Sequence, residues 1–124
     1  MTPERLRSFF DLWNAHDVDS IIEHFTADGT YMTSIGPDDD GTVFRGHAEL
    51  RRGVTAFLST YADVVYSDLT VTLSGEMGFA TWTLDATAPD GNSVRYRGVD
   101  VLAFEGDLIR LKDAYRKERS APIG

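Results

Sequence analysis

A chain of 124 residues, 42% of them hydrophobic, matches the commonest size for one domain with a real core. Its formal charge of -8 repels nucleic acid and anionic membrane, and the absence of cysteine excludes disulfides, thiol nucleophiles and cysteine-based metal sites. The opening MTPERLRSFFDLW has no secretory apolar segment, and no apolar run approaches the roughly 20 residues that span a bilayer, so a soluble protein of the cytoplasm is the expectation.

Thr2-Pro3-Glu4 reads as a helix start, and Leu6, Phe9, Phe10 and Trp13 then recur at spacings of three and four, one apolar face of an amphipathic helix. Asn14-Ala15-His16-Asp17 breaks it. Asp17 can cap a short second helix that buries Val18, Ile21, Ile22 and Phe25. Thr26 to Gly29 reads as a turn, Thr30 to Ile35 as a strand, and Gly36 to Gly41, with its three aspartates, as an exposed loop that lacks the ligand spacing of a calcium site. After the short extended run Thr42 to Gly46, His47 opens a third helix with Leu50, Val54, Phe57, Leu58 and Tyr61 on one face.

Beyond Asp63 the pattern changes to strands: Val64 to Ser74, Phe79 to Ala88, and a hairpin from Val94 to Glu118 turning at Glu105-Gly106-Asp107. The hairpin carries two acids among apolar residues. Period-two alternation places Asp100 with Leu102 and Phe104, and Asp113 with Ile109, Leu111 and Tyr115. A carboxylate facing a core costs several kcal/mol unless paired, hydrogen-bonded or protonated. The basic residues Arg110, Lys112, Arg116, Lys117 and Arg119 read as the solvated face of the last strand. Helices first and antiparallel strands afterwards predict an α+β fold, a cone-shaped, curved, antiparallel or mixed sheet that about three N-terminal helices close around a pocket. One domain over residues 1–124 follows.

Four stretches, in this order and spacing, resemble the nuclear-transport-factor-two-like superfamily and, within it, the SnoaL-like polyketide cyclase and ketosteroid isomerase group. They are Asn14-Ala15-His16-Asp17-Val18-Asp19, Phe25 to Thr30, Phe44-Arg45-Gly46-His47-Ala48-Glu49-Leu50, and Arg97-Gly98-Val99-Asp100-Val101 with Gly106-Asp107-Leu108-Ile109. The resemblance implies three acids of interest. Asp113 matches a catalytic aspartate near the end of the last strand in the cyclases and in limonene epoxide hydrolase, and Asp85 a second aspartate of that hydrolase. Asp100 matches the isomerase aspartate that donates to a developing oxyanion. The hydrolase arginine is Thr83 here, the isomerase tyrosine falls at about Phe9 and its base at about Thr33, so neither machinery is reproduced whole.

Three carboxylates in one apolar cavity cannot all ionise cheaply, which supplies an acid and a base together. The expected function is therefore a cofactor-independent acid/base enzyme of cyclase, isomerase or dehydratase type acting on a small hydrophobic carbonyl or polyketide-like compound, with Asp113, Asp100 and Asp85 catalytic. Phe9, Trp13, Tyr31, Thr33, Tyr61, Trp82, Tyr96, Tyr115 and His24 are the candidate pocket residues. No cofactor or metal is expected: His16, His24 and His47 share no ligand spacing, and no phosphate loop or nucleotide fingerprint occurs. The alternative is a non-catalytic ligand-binding or dimerising module. Val71, Leu73, Val99, Val101 and Ala103 suggest a sheet face suited to a homodimer.

Overall fold

The computed structural model describes residues 1–122. The Thr2 hydroxyl accepts from the Arg5 amide at 3.1 Å, and the first helix, α1 (Pro3–Asn14), buries Leu6, Phe9, Phe10 and Trp13 as their spacing predicts. His16 turns the chain through a left-handed conformation (φ 56°), and Asp17 caps α2 (Val18–Glu23) by accepting from the Ser20 amide. The first strand, β1 (Phe25–Met32), starts earlier than predicted. Thr26 to Gly29, expected as a turn, lies inside it as an irregular stretch where the strand register shifts.

After the exposed loop, β2 (Val43–Arg45) pairs antiparallel with β1 and leads into α3 (Gly46–Thr60). Four strands complete the chain: β3 (Val65–Ser74), β4 (Met77–Thr87), β5 (Ser93–Glu105) and β6 (Leu108–Lys117). They run antiparallel in sequence, and β6 then lies parallel to β1, so the order across the mixed sheet is β2-β1-β6-β5-β4-β3. The sheet stays open and curls around the helices as a cone, with α1 against β3 and α3 against β1. Register shifts in β1, at Ser67–Thr70 of β3 and at Ala103–Phe104 of β5 supply the bends that a flat ladder lacks.

The bend opposite Ala103 and Phe104 has the largest consequence for chemistry. Phe104 pairs with Ile109 but Ala103 pairs with Leu111, so Arg110 is an extra residue in β6. Beyond it every side chain of β6 changes face. Lys112, Ala114 and Arg116 turn into the cone, whereas Leu111, Asp113 and Tyr115 turn outward. A similar shift in β3 directs Val71 and Leu73 against the core, so those two do not belong to the outer face proposed for a dimer. Among the described residues no helix is long and apolar enough to cross a membrane.

Asn14 joins the helical layer to the sheet. Its side-chain amide donates to the Tyr66 carbonyl at 3.0 Å and accepts from the Tyr66 amide at 2.8 Å, satisfying both backbone groups of a strand residue at once. Asn14→Ala leaves both unpaired and is expected to cost about 1–3 kcal/mol in denaturant unfolding. An unchanged midpoint would show that solvent replaces the amide.

Candidate functional site

Four strands and a helix aim side chains at one point inside the cone. On the inner face of β5, Asp100 has no solvent exposure; its neighbours across the ladder are Ala80 on β4 and Ala114 on β6. Diagonal to it stand Trp82 and Lys112, at the separation from which long side chains meet. Trp82 Nε1–H donates to Asp100 Oδ2 at 3.1 Å and Lys112 Nζ donates to Oδ1 at 3.2 Å. The indole reaches this position because residue 98 is glycine: a Cβ there would lie 2.3 Å from a Trp82 ring carbon.

Lys112 is as buried as its partner, at 1% exposure. Its ammonium lies 4.7 Å from the centre of the Trp13 ring and 4.8 Å from that of Tyr31. Dehydrating two charges costs several kcal/mol each, which mutual attraction offsets only with good geometry and further hydrogen bonds. Here the carboxylate has two donors and the ammonium two aromatic faces, each worth up to about 2 kcal/mol when desolvated. Burial pushes the Asp100 carboxyl upward from its ordinary value, and Lys112 and then Trp82 pull it back. Trp13 pays out only its ring face: its Nε1–H has no partner among the described residues.

Above this floor opens a cavity of about 230 Å³. Tyr31 is its base, Phe44, Phe57 and Ile35 give it apolar walls, Thr33, Thr60 and Tyr61 add hydroxyls, and Arg116 stands at one side. The Tyr31 hydroxyl has no hydrogen-bond partner among the described residues. Burial raises its pKa, the nearby Asp100 raises it further and Arg116 opposes, so the phenol keeps its proton over any working pH. Arg116 packs its guanidinium 3.9 Å from the Tyr96 ring centre. A larger hollow of about 460 Å³ lies against Thr81, Val99 and Tyr115, with Arg97, Arg116 and Lys117 at its edge and neither Asp100 nor Lys112 in its lining.

The sequence-predicted residues divide accordingly. Asp100, Trp82, Trp13 and Tyr31 meet at the floor, Thr33 and Tyr61 line the cavity, and Tyr96 stands beneath Arg116. The three-carboxylate pocket does not form. Asp113 faces outward and accepts from the Tyr115 hydroxyl at 3.0 Å, and Tyr115 itself is 55% exposed. Asp85, also outward, pairs with Arg95 at 2.7 Å. Phe9 is plain core, and His24 is held by a 2.8 Å contact from Nδ1 to the Ser20 carbonyl with its ring beside Phe9. Alternation through an unbroken β6 hid Lys112 and Arg116, which the expected solvated face had claimed. The consecutive apolar pair Leu108-Ile109, just before the slip at Arg110, is the sequence hint that the period breaks.

Asp100 binds its proton more tightly folded than unfolded, so its stabilising contribution is full below the unfolded carboxyl range and is lost as pH rises through the folded value. Lys112→Met removes the charge that restrains this rise. The variant is expected to lose about 3–5 kcal/mol near neutrality, to recover part of it at about pH 5, and to be largely restored by adding Asp100→Asn. Denaturant unfolding of both variants at the two pH values measures this, and an equal loss at each would contradict a dry carboxylate.

Comparison with known proteins agrees with this fold. The family model for the SnoaL-like domain matches residues 6–111. A protein with a ketosteroid isomerase-like fold from Catenulispora acidiphila, solved with trimethylamine, superposes with a TM-score of 0.81 at 16% identity over 93% of this chain and 86% of its own. A Xanthomonas campestris protein provisionally described as a polyketide cyclase gives 0.78 at 16% identity, over 90% of this chain and 87% of its own. The epoxide hydrolase/cyclase-like enzyme SalBIII of salinomycin pyran-ring formation gives 0.73 at 22%, over 92% and 88%. No curated protein matches the sequence. With an open cone of six strands and three helices among the described residues, and a domain match over most of its length, the chain belongs to the SnoaL-like family.

Proposed function

We propose that the cone takes up a small, largely apolar carbonyl compound and that Tyr31 donates a hydrogen bond to its oxygen. That interaction is the electrostatic half of cofactor-free enolisation, the step shared by cyclases, isomerases and dehydratases. The observation that carries this reading is the protonated, otherwise unpartnered phenol at the base of an aromatic-walled cavity. Behind it, Asp100 and Lys112 form a buried ion pair that touches no ligand; in this scheme the proton next to the carbonyl leaves to water in the half-open cavity while Tyr31 stabilises the enolate oxygen. Asp113 and Asp85 have no part in it, because both face away from the cavity. A volume of about 230 Å³ lies below the usual range for drug-sized ligands, which restricts the ligand to a small ring or short chain.

A second reading, binding without turnover, is favoured by one specific observation: no carboxylate is among the residues that line the cavity. The two readings part in heavy water. Turnover predicts that the protein accelerates deuterium exchange next to the carbonyl of cyclohexanone, followed by NMR, and that Tyr31→Phe lowers this rate by about 10²-fold or more. Ring-current shifts of the ketone without accelerated exchange would leave the binding module standing and remove the enzyme.

The outer face of the sheet supports a homodimer. Met77 and Phe79 on β4 and Tyr115 on β6 are 46%, 43% and 55% exposed, with Val99 and Val101 half-buried between them. Arg95, Arg97 and Lys117 lie toward one end of this face, and Glu76, Glu105 and Asp107 toward the other. A two-fold axis in the interface, perpendicular to the strands, lays each basic end over the partner's acidic end. Light scattering is expected to give a dimer, and Phe79→Glu a monomer with unchanged circular dichroism. A monomeric native protein would overturn this assembly.

A further inference from the structure

Arg116 combines burial with a borrowed counter-charge. Its side chain is 6% exposed, while the Glu118 carboxylate that neutralises it is 51% exposed. Glu118 Oε1 accepts from Arg116 Nη2 at 2.5 Å and from Nε at 3.0 Å, so one oxygen takes the forked pair of donors that a carboxylate of any origin fits. Glu118 is the first residue after β6, beyond the last ladder partner, Lys117. Nothing in the sheet fixes it to this place. The guanidinium, by contrast, is fixed from two sides: Tyr96 supports one face at 3.9 Å, and Arg116 is set on the inner face of β6, at the cavity wall beside Tyr61. Burial works against the charge on Arg116, and Glu118 together with the Tyr61 hydroxyl more than restores it.

The geometry points to Arg116 as an anion-recognition residue of the cavity, with Glu118 as an internal stand-in for the carboxylate of the natural ligand. The inference rests on the cavity proposed above as the ligand site and narrows its occupant to a small carboxylic acid whose apolar body lies between Phe44 and Phe57. Arriving ligand displaces Glu118 from the guanidinium and releases it to solvent, where half of its side chain already is. No charge is left bare in the exchange, because one carboxylate replaces another. The loss of a bound Glu118 lowers the affinity for ligand, so the chain's own tail sets the threshold concentration for uptake.

NMR titration with benzoate, and with benzamide as its uncharged counterpart, tests this in the native protein, in Glu118→Gln and in Arg116→Lys. Benzoate is expected to move the signals of Phe57, Tyr61 and Tyr31 and to bind about tenfold more tightly than benzamide. Glu118→Gln is expected to tighten benzoate about tenfold and to leave benzamide unchanged, whereas Arg116→Lys, which keeps the charge but loses the fork, weakens benzoate alone. Equal binding of the two probes, unaffected by Glu118→Gln, would overturn the anion site and leave a cavity for neutral compounds intact. Binding of neither probe would overturn both the anion site and the cavity as a ligand site.

Discussion

The ion pair between Lys112 and Asp100 is the constraint on which the interior is arranged. A carboxylate and an ammonium without access to water require every remaining donor, acceptor and ring face nearby to be placed for them. Trp82 satisfies the second carboxylate oxygen, and its indole reaches it across a glycine that no larger residue could replace. Trp13 and Tyr31 flank the ammonium, which ties α1 and β1 to the same point. The sequence places these groups on five separate elements, so the pair forms only once the sheet has curled and α1 has docked. Breaking one partner leaves the other charged and dry; replacing both removes the constraint along with its cost.

The same pair determines what the cavity can do. Because Asp100 and Lys112 neutralise each other beneath Tyr31, the floor presents a neutral phenol rather than a net charge, and the cation at the side is Arg116, paired with Glu118. In the proposed reading a ligand is met by the Tyr31 hydroxyl at one end and, once Glu118 is displaced, by the guanidinium at the other, between aromatic walls. This is a polarised site built with neither metal ligands nor an exposed catalytic carboxylate among its lining residues. It differs from the site that the family resemblance implies, in which acids project into the pocket.

Much of the fold is legible in the sequence because local rules and tertiary packing agree. The Thr2-Pro3 start, the Asp17 cap, the apolar stripe of α1 and the Gly106 turn each specify one backbone solution, and the structure adopts it. Asp100 is legible for the same reason, since its strand alternates cleanly up to Ala103. The site fails to be legible where the chain breaks its own period. One extra residue at Arg110 inverts the faces of β6, exchanging Asp113 and Tyr115 for Lys112 and Arg116, and a bulge is set by the curvature of the whole sheet rather than by the residues that form it. A lysine in an alternating strand also reads as solvent-facing by default, because its need for an aromatic cage and a carboxylate becomes visible only in three dimensions.

The most direct test is the proton NMR position of the Lys112 ε-methylene, assigned in the native protein. Set in the corner between the edge-to-face rings of Trp13 and Tyr31, the end of this side chain lies over both ring faces, so its protons are predicted upfield of ordinary lysine signals, with cross-relaxation to the Trp82 indole NH region and to Tyr31. A Lys112 signal at the usual exposed-lysine position, without contacts to those rings, would contradict the account, because the charge would then be in water and the floor of the cone would be built on something else.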